Sequence, residues 1–268
     1  MFAPVSVVIP CYQCAAVIER AVNSVANQTC RPVELILVDD ASGDDTLKII
    51  HRLKEIHGDW IHIIELPVNV GAASTRNAGW ELATQTYIAL LDSDDAWHPE
   101  KIEIQYGYMR DNPSVALSGH SCRELASAET ECLNWRVEFK SVEKITWHQL
   151  LIKNHFVTPS VMIKRDISLR FFEGRRYVDD HLLWLEIVSE KMIAVKLSVD
   201  LVATYKSMYG ASGLSSNMWL MEKAELSNYQ YFYHQEKIKF YQYVCLGIFS
   251  MFKFIRRLLV VYVIRRFK

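Results

Sequence analysis

Glycine is scarce and late in this chain: ten residues in 268, the first at Gly43. A dinucleotide-binding Rossmann domain needs Gly-x-Gly-x-x-Gly directly after its first strand so that the backbone can approach a pyrophosphate, and a P-loop needs Gly-x-x-x-x-Gly-Lys-Ser/Thr. Neither run occurs, so a nucleotide bound here has its phosphates held by side chains and a metal. The six cysteines are scattered rather than framed, and residues 1–4 lead into strand sequence without a basic region and apolar signal core, which predicts a reducing, cytoplasmic setting. Cys11-Tyr-Gln-Cys14 sits where a thioredoxin-like pair would. The parallel pattern around it does not suit that fold, and a redox pair leaves a cluster of aspartates downstream without a role. Long apolar runs are missing too: the uncharged stretches 240–252 and 258–264 are shorter than the ~18–20 residues that span a bilayer.

Acidic residues are absent from 237–268, which holds eight Lys or Arg and leaves 22 basic against 31 acidic residues, a balance of −9, in the first 236. The tail is therefore a separate electrostatic object inside a chain of net charge −1. At half hydrophobic composition the remainder can bury one large core, with an appended lobe at most.

Within that remainder the periodicity switches regularly. Apolar runs at 5–9 (stopped by Pro10), 33–38, 60–66 and 87–91 read as strands; 15–27, 46–57 and 72–84 carry helical stripes. Strand and helix alternating at this spacing predict an α/β fold, a mostly parallel Rossmann-like sheet flanked by helices. The fourth run, Tyr87-Ile-Ala-Leu-Leu91, leads straight into Asp92, Asp94 and Asp95. In an open α/β sheet ligands bind at that carboxyl edge, and crowded carboxylates there call for a cation such as Mn²⁺ or Mg²⁺. The alternative is turn and cap chemistry, with Asp95 capping a helix that begins near Pro99. Three more loops reach the same edge. They offer Tyr12 to stack on a base, Asp40 to accept from a uracil imide or a ribose hydroxyl, and Arg76 to pair with a diphosphate or base. A core tyrosine, a helix cap and a surface arginine are the plain readings of the same residues.

Val5-Ser-Val-Val-Ile-Pro-x-Tyr12, Leu37-Val-Asp-Asp-Ala-Ser-x-Asp-x-Thr46, Asn69-x-Gly-x-x-x-x-Arg-Asn77 and Leu91-Asp-Ser-Asp-Asp95, in this order, resemble the family 2 glycosyltransferases of the GT-A fold. The resemblance is close over 4–104 and looser to about 210. It implies that Pro10, Tyr12, Asp40 and Arg76 surround the base and ribose of a nucleotide-sugar donor, with Asp92 and Ser93 as further donor contacts. Asp92 and Asp94 correspond to that family's Asp-x-Asp, Asp94 being the principal metal ligand. Gln13, where asparagine is commoner, and Gln85, where glycine often stands, depart from the pattern.

Beyond Asp111 the alternation loosens. A strand is expected at 115–118 and another at 157–163, and apolar spacing from Leu182 to Val188 predicts a helix with Asp179 and Asp180 at its N-terminus. Acidic residues there complement a helix dipole. They also resemble the family's Glu-Asp-x-x-Leu-Trp-Leu motif, which makes Asp180 the general base and Asp179 its catalytic neighbour. The expected reaction is an inverting transfer, most simply from a UDP-sugar to a lipid-linked saccharide of a cell-surface polysaccharide, with residues 205–213 as a candidate closing loop. A metal-dependent nucleotidyltransferase or hydrolase, or a subunit that binds a sugar nucleotide without turnover, would use the same carboxylates.

The organisation predicted is a nucleotide-sugar half (1–111), an acceptor half (112–215) and a basic amphipathic helical tail (216–268). In that tail Lys253, Arg256, Arg257 and Lys268 oppose Phe252, Ile255, Leu259 and Tyr262, which reads as an interfacial helix on an anionic membrane surface at the cytoplasmic face. A helix packed on the enzyme or on a homodimer partner is the alternative. No nucleic-acid partner is expected.

Overall fold

The computed structural model describes residues 2–125, 133, 135–205 and 217–266, with side chains to 261. The first half alternates as the periodicity predicts: β1 (Phe2–Cys11), α1 (Ile18–Ala26), β2 (Arg31–Asp39), α2 (Thr46–His57), β3 (Ile61–Glu65), α3 (Ala72–Leu82) and β4 (Tyr87–Leu90). The second half runs β5 (Ala96–Trp97), α4 (Lys101–Asp111), β6 (Val115–Glu124), β7 (Val142–Ile145), α5 (Trp147–Ile152), β8 (Met162–Lys164), α6 (Asp179–Ser189), β9 (Ile193–Thr204), α7 (Met218–His234) and α8 (Phe240–Arg266). All strands join one sheet in the order β3-β2-β1-β4-β8-β6-β9-β5, with β7 on β9.

The inner strands β1, β2 and β4 are apolar over most of their length because both faces are covered, whereas the edge strand β3 carries His62 and Glu65 and is only partly buried. In β1, Val5, Val7 and Ile9 pack under α1 and α2 while Val8 packs under α3; β2 divides Leu35 and Leu37 from Ile36 and Val38 in the same way. Strands β1 to β4 are mutually parallel. Strand β8 then enters antiparallel to both β4 and β6, so the sheet is parallel from β3 to β4 and mixed beyond it. Because β8 runs backwards, residues just before it reach the edge where β4 ends.

Several sequence expectations are corrected. Pro10 does not stop β1, which pairs with β2 through Pro10 and Cys11; its pairing with β4 has already ended at Val8 opposite Leu90, so the missing N–H weakens no ladder on that side. Asp95 caps no helix. The short strand β5 intervenes, α4 starts at Lys101 behind Glu100 without a side-chain cap, and Asp95 is buried. The strand expected over 157–163 is a single 3-10 turn, Thr158–Ser160, followed by three residues of β8.

Helix α3 lies so close to the sheet that a Cβ on Gly79 would stand 2.4 Å from Val8 Cγ1 and 3.2 Å from Val38 Cγ2. Valine side chains have little rotamer freedom with which to yield. Gly79→Ala is therefore expected to destabilise by about 1–3 kcal/mol, seen as a fall in Tm of several degrees. An unchanged Tm would show that α3 is not clamped there.

The C-terminal helices differ in kind. Helix α7 belongs to the core: Tyr229 and Phe232 are buried, and the Tyr229 hydroxyl donates to Leu151 O at 3.1 Å. Helix α8 packs on α7 through Ser250, which donates to Glu222 at 2.6 Å, and through Phe254 against Trp219. Its opposite side leaves Ile248, Phe252, Ile255 and Leu259 exposed. The basic face is not a free row of cations, because Lys253 donates to Glu225 at 2.7 Å and to Ile152 O at 2.9 Å. Side chains of Tyr262, Arg265, Arg266 and Lys268 lie outside the described residues. No helix among the described residues is long and apolar enough to cross a membrane.

Candidate active site

The loops after β1, β2, β3 and β4 emerge at one edge, and each is tied to a neighbour. Asp40 braces the loop after β3: Oδ1 accepts from the Val70 N–H at 2.7 Å, and Oδ2 accepts from the Gly71 N–H at 2.9 Å and the Asn69 side-chain amide at 3.0 Å. Gly71 has φ 85°, a conformation that costs a side chain and so accounts for glycine in the Asn69-x-Gly71 spacing. The partners of Asp40 are thus protein groups. Asp39 differs. Its Oδ2 accepts from the Ser42 N–H at 3.1 Å, while its Oδ1 is buried with no hydrogen-bond partner among the described residues. Leaving such an acceptor unsatisfied costs about 1–3 kcal/mol, and a ligand donor would relieve it. Sequence reasoning passed over Asp39; the Asp39-Asp40 dipeptide was the signal, but only the fold shows which carboxylate the loop consumes.

Pro10 is half-buried at the end of β1, and Tyr12, at 46% exposure, presents its ring beyond it. Gln13 adopts φ 47° and donates its N–H to Ser42 Oγ at 3.1 Å. Asparagine tolerates that left-handed backbone better than glutamine, which explains the family preference. Gln85 is not among the residues with positive φ, so its departure introduces no strain. The Ser93 hydroxyl lies against the Cys14 thiol, where a hydrogen bond from Cys11, and then Ser93 and Thr46, hold that thiol below its ordinary value despite burial.

Arg76 is the hub. One guanidinium nitrogen donates to Asp92 Oδ1 at 2.7 Å and the other to Asp179 Oδ2 at 3.3 Å, across 103 residues of sequence. The group is 7% exposed. Burial alone would lower its pKa, yet Asp92 and then Asp179 raise it, so it is a fixed cation joining the aspartate loop to α6. Asn77, next in the motif, fixes the same region: its amide donates to Phe171 O at 2.8 Å and its Oδ1 accepts from Phe171 N–H at 3.0 Å.

Asp179 and Asp180 open α6 behind Val178, a β-branched residue at φ 54°. That conformation costs about 1–3 kcal/mol and is held by the buried Asn228 of α7, whose amide donates to Val178 O at 3.3 Å. Asp180 is pre-set by three donors: the His181 N–H at 2.7 Å on Oδ1, and Thr158 Oγ at 3.2 Å and Asn154 at 3.3 Å on Oδ2. Thr158 is there because β8 runs antiparallel. Burial nonetheless lifts the carboxyl of Asp180 above its ordinary value, and burial lifts Asp179 too, against the pull of Arg76.

Residues 6–170 match the family model described as Glycosyl transferase family 2. The chain belongs to that family. Escherichia coli WfaP, named as a UDP-Glc:alpha-D-GlcNAc-diphosphoundecaprenol beta-1,3-glucosyltransferase, is 30% identical over 78% of this chain and 78% of its own length. Among solved structures, S. aureus TarS 1-349 in complex with UDP-GlcNAc superposes with TM-score 0.64 at 18% identity, covering 94% of this chain and 81% of that one. The mannosyltransferase PcManGT from Pyrobaculum calidifontis, in complex with GDP-Man and Mn2+, gives 0.62 at 17% identity over 87% and 65%. These likenesses establish the GT-A type of fold.

In this family 2 chain the donor set for a metal consists of hard carboxylate oxygens at the end of β4. Asp92 gives one oxygen to Arg76 and remains 30% exposed, and Asp94 is half-buried. No group of three His, Cys, Asp or Glu side chains converges among the described residues. Mg²⁺ or Mn²⁺ bound by one or two carboxylates plus substrate phosphates needs none, so these residues fit. The main-chain carbonyl of Asp94 accepts from Arg20, whose guanidinium lies 3.6 Å from the centroid of the Tyr205 ring. The rest of the 205–213 loop lies outside the described residues.

Asp180 also faces a groove of about 1250 Å³, walled by Lys153–Val157, His120 and Lys196 on one side and by Phe249, Phe252, Lys253 and Arg256 of α8 on the other. That exceeds the 300–1,000 Å³ typical of a small-molecule pocket. The aspartate loop and the start of α6 are thus linked through Arg76, with a large groove opening beside Asp180.

Proposed function

We propose that this enzyme transfers a hexosyl group, with inversion, from a UDP-sugar to a hydroxyl of a lipid-linked saccharide in cell-surface polysaccharide synthesis, working peripherally at the cytoplasmic face of the membrane. The observation that carries the reading is Asp180, a half-buried carboxylate held by three donors at the wall of a groove large enough for a glycan acceptor, whose neighbour Asp179 is bridged through Arg76 to the aspartate loop. The exposed apolar side of α8 supports the membrane setting.

Asp180 accepts the proton of the acceptor hydroxyl as its oxygen attacks the anomeric carbon, and the nucleoside diphosphate leaves from the opposite face. Tyr12 stacks on the base, and Asp39 accepts from the base imide or a ribose hydroxyl. Asp94, with Asp92, would hold Mn²⁺ or Mg²⁺, which when bound supplies charge stabilisation to the leaving diphosphate. Arg76 and Asp179 keep the aspartate loop and the base in fixed relation. Incubation with a panel of UDP-sugars, Mn²⁺ and a saccharide-diphospholipid tests the reading: a product of inverted anomeric configuration is expected, and nucleotide-sugar cleavage without transfer to any acceptor would overturn it.

The pH dependence has a defined sign. Protonated Asp180 cannot act as base, and burial raises its pKa, so kcat/KM should fall as pH is lowered through a value above the ordinary ~3.9 of aspartate. The limb belongs to the Asp179–Asp180 pair jointly. Thr158→Val, which removes a hydrogen bond favouring the charged form, should move that limb further up. A limb at the ordinary carboxylate value, unmoved by Thr158→Val, would dispose of a desolvated base.

A further inference from the structure

The groove beside Asp180 is unevenly charged. Lys253 is neutralised by Glu225, but among the described residues Lys153 and Lys196 have no carboxylate partner, and Arg256 is exposed at the opposite wall. His155 lines the same groove; its pKa is lowered by burial first, then by Lys196, with Lys153 adding in the same direction against Glu143, which stands opposite Lys196 in the β7–β9 ladder and accepts from Gln149. A wall with more cations than carboxylates beside Asp180 suits a ligand that is polar and uncharged at one end and anionic at the next. Farther along, the lining turns apolar through Phe249, Phe252 and Val260 of α8, which with Arg256 recur along one side of the helix over about 16 Å. Phe252 both lines the groove and is 71% exposed, so it joins the cavity to the outer apolar strip of Ile248, Ile255 and Leu259.

We infer that this groove is a subsite for the diphosphate and first isoprenoid units of a polyprenyl-diphosphate-linked acceptor: the sugar hydroxyl at Asp180, the diphosphate on Lys153, Lys196 and Arg256, and the lipid leaving over Phe252 onto α8. Opposed cations on two walls suit a group with several anionic oxygens. The assignment rests on the acceptor proposed above and goes further in naming which part of it each wall holds. It also gives α8 a role in substrate binding, since the helix supplies one wall of the groove.

The test is binding of farnesyl diphosphate to the full chain with UDP and Mn²⁺ saturating, so that the donor site is filled. Inorganic diphosphate, farnesol and phosphatidylglycerol vesicles serve as comparison probes. Farnesyl diphosphate should bind more tightly than either fragment. Lys153→Ala and Lys196→Ala should each weaken it about tenfold, the scale of one lost charge-assisted contact, with UDP affinity unchanged. Phe252→Ser should weaken farnesyl diphosphate while leaving inorganic diphosphate unaffected. Farnesyl diphosphate affinity that both lysine variants retain would overturn the subsite. So would vesicle binding that these variants weaken while farnesyl diphosphate binding stays unchanged, which would assign the cations to membrane headgroups. Lysine-sensitive farnesyl diphosphate binding without transfer from any UDP-sugar to the saccharide-diphospholipid would count against the proposed reaction, whereas transfer to that acceptor with lysine-insensitive farnesyl diphosphate binding would count against the subsite alone.

Discussion

Asp180→Asn is expected to bind UDP as the parent enzyme does and to lose 10²- to 10⁴-fold in transfer, the usual contribution of a general base. The amide keeps the shape of the carboxylate and an acceptor oxygen for the His181 N–H or the Thr158 hydroxyl, so the fold should hold while the proton of the attacking hydroxyl has no destination. Asp179→Asn is the control. Its carboxylate is one of the two counter-charges on buried Arg76, so its loss should lower stability and loosen the link to the aspartate loop. The readout is kcat alongside UDP affinity by calorimetry. If Asp179→Asn abolishes transfer and Asp180→Asn does not, the base has been assigned to the wrong neighbour.

Asp94→Ala should abolish the metal-dependent part of UDP binding. UDP at about a hundred times its Kd adds about 2.7 kcal/mol of stability. At roughly 2–4 °C per kcal/mol for a chain of this size, that is a rise in Tm of about 5–10 °C with Mn²⁺ present. The variant should unfold near the parent's temperature without ligand, because alanine retains the main-chain carbonyl that receives Arg20. With UDP and Mn²⁺ it should show little further rise. Equal shifts in EDTA and Mn²⁺ for the parent enzyme would exclude the metal role of this loop.

The two experiments probe opposite ends of one rigid connection. Asp92 and Asp179, close in sequence to the two substituted residues, sit on a single buried guanidinium, that of Arg76. Removing one partner of a buried ion pair is far costlier than the net contribution of the pair, because the remaining charge stays desolvated. Disturbance of Arg76 should therefore affect donor binding and transfer together, unlike Asp180→Asn.

What the sequence by itself determined is the part governed by local periodicity: the alternation of strand and helix from β1 to β4, α2 at the residues its stripe predicts, and the aspartates beyond β4. There the inner strands are apolar on both faces and each helix on one, so short windows carry the information. The start of α6 at Asp179 was equally legible. The tertiary structure alone decided the second half of the sheet and the surroundings of Asp180. The strands β5, β7, β8 and β9 are short or irregularly patterned and owe their pairing to partners distant in the chain. The antiparallel insertion of β8 is what delivers Thr158 to Asp180. Arg76 read in sequence as a diphosphate or base contact, and its two carboxylate partners became visible only once residues 103 apart were brought together. Likewise, helical spacing separated a basic from an apolar side in α8, but not which side faces the protein. Packing against α7 settled that, because Glu225 takes Lys253 and Trp219 takes Phe254, which turns Phe252, Ile255 and Leu259 outward.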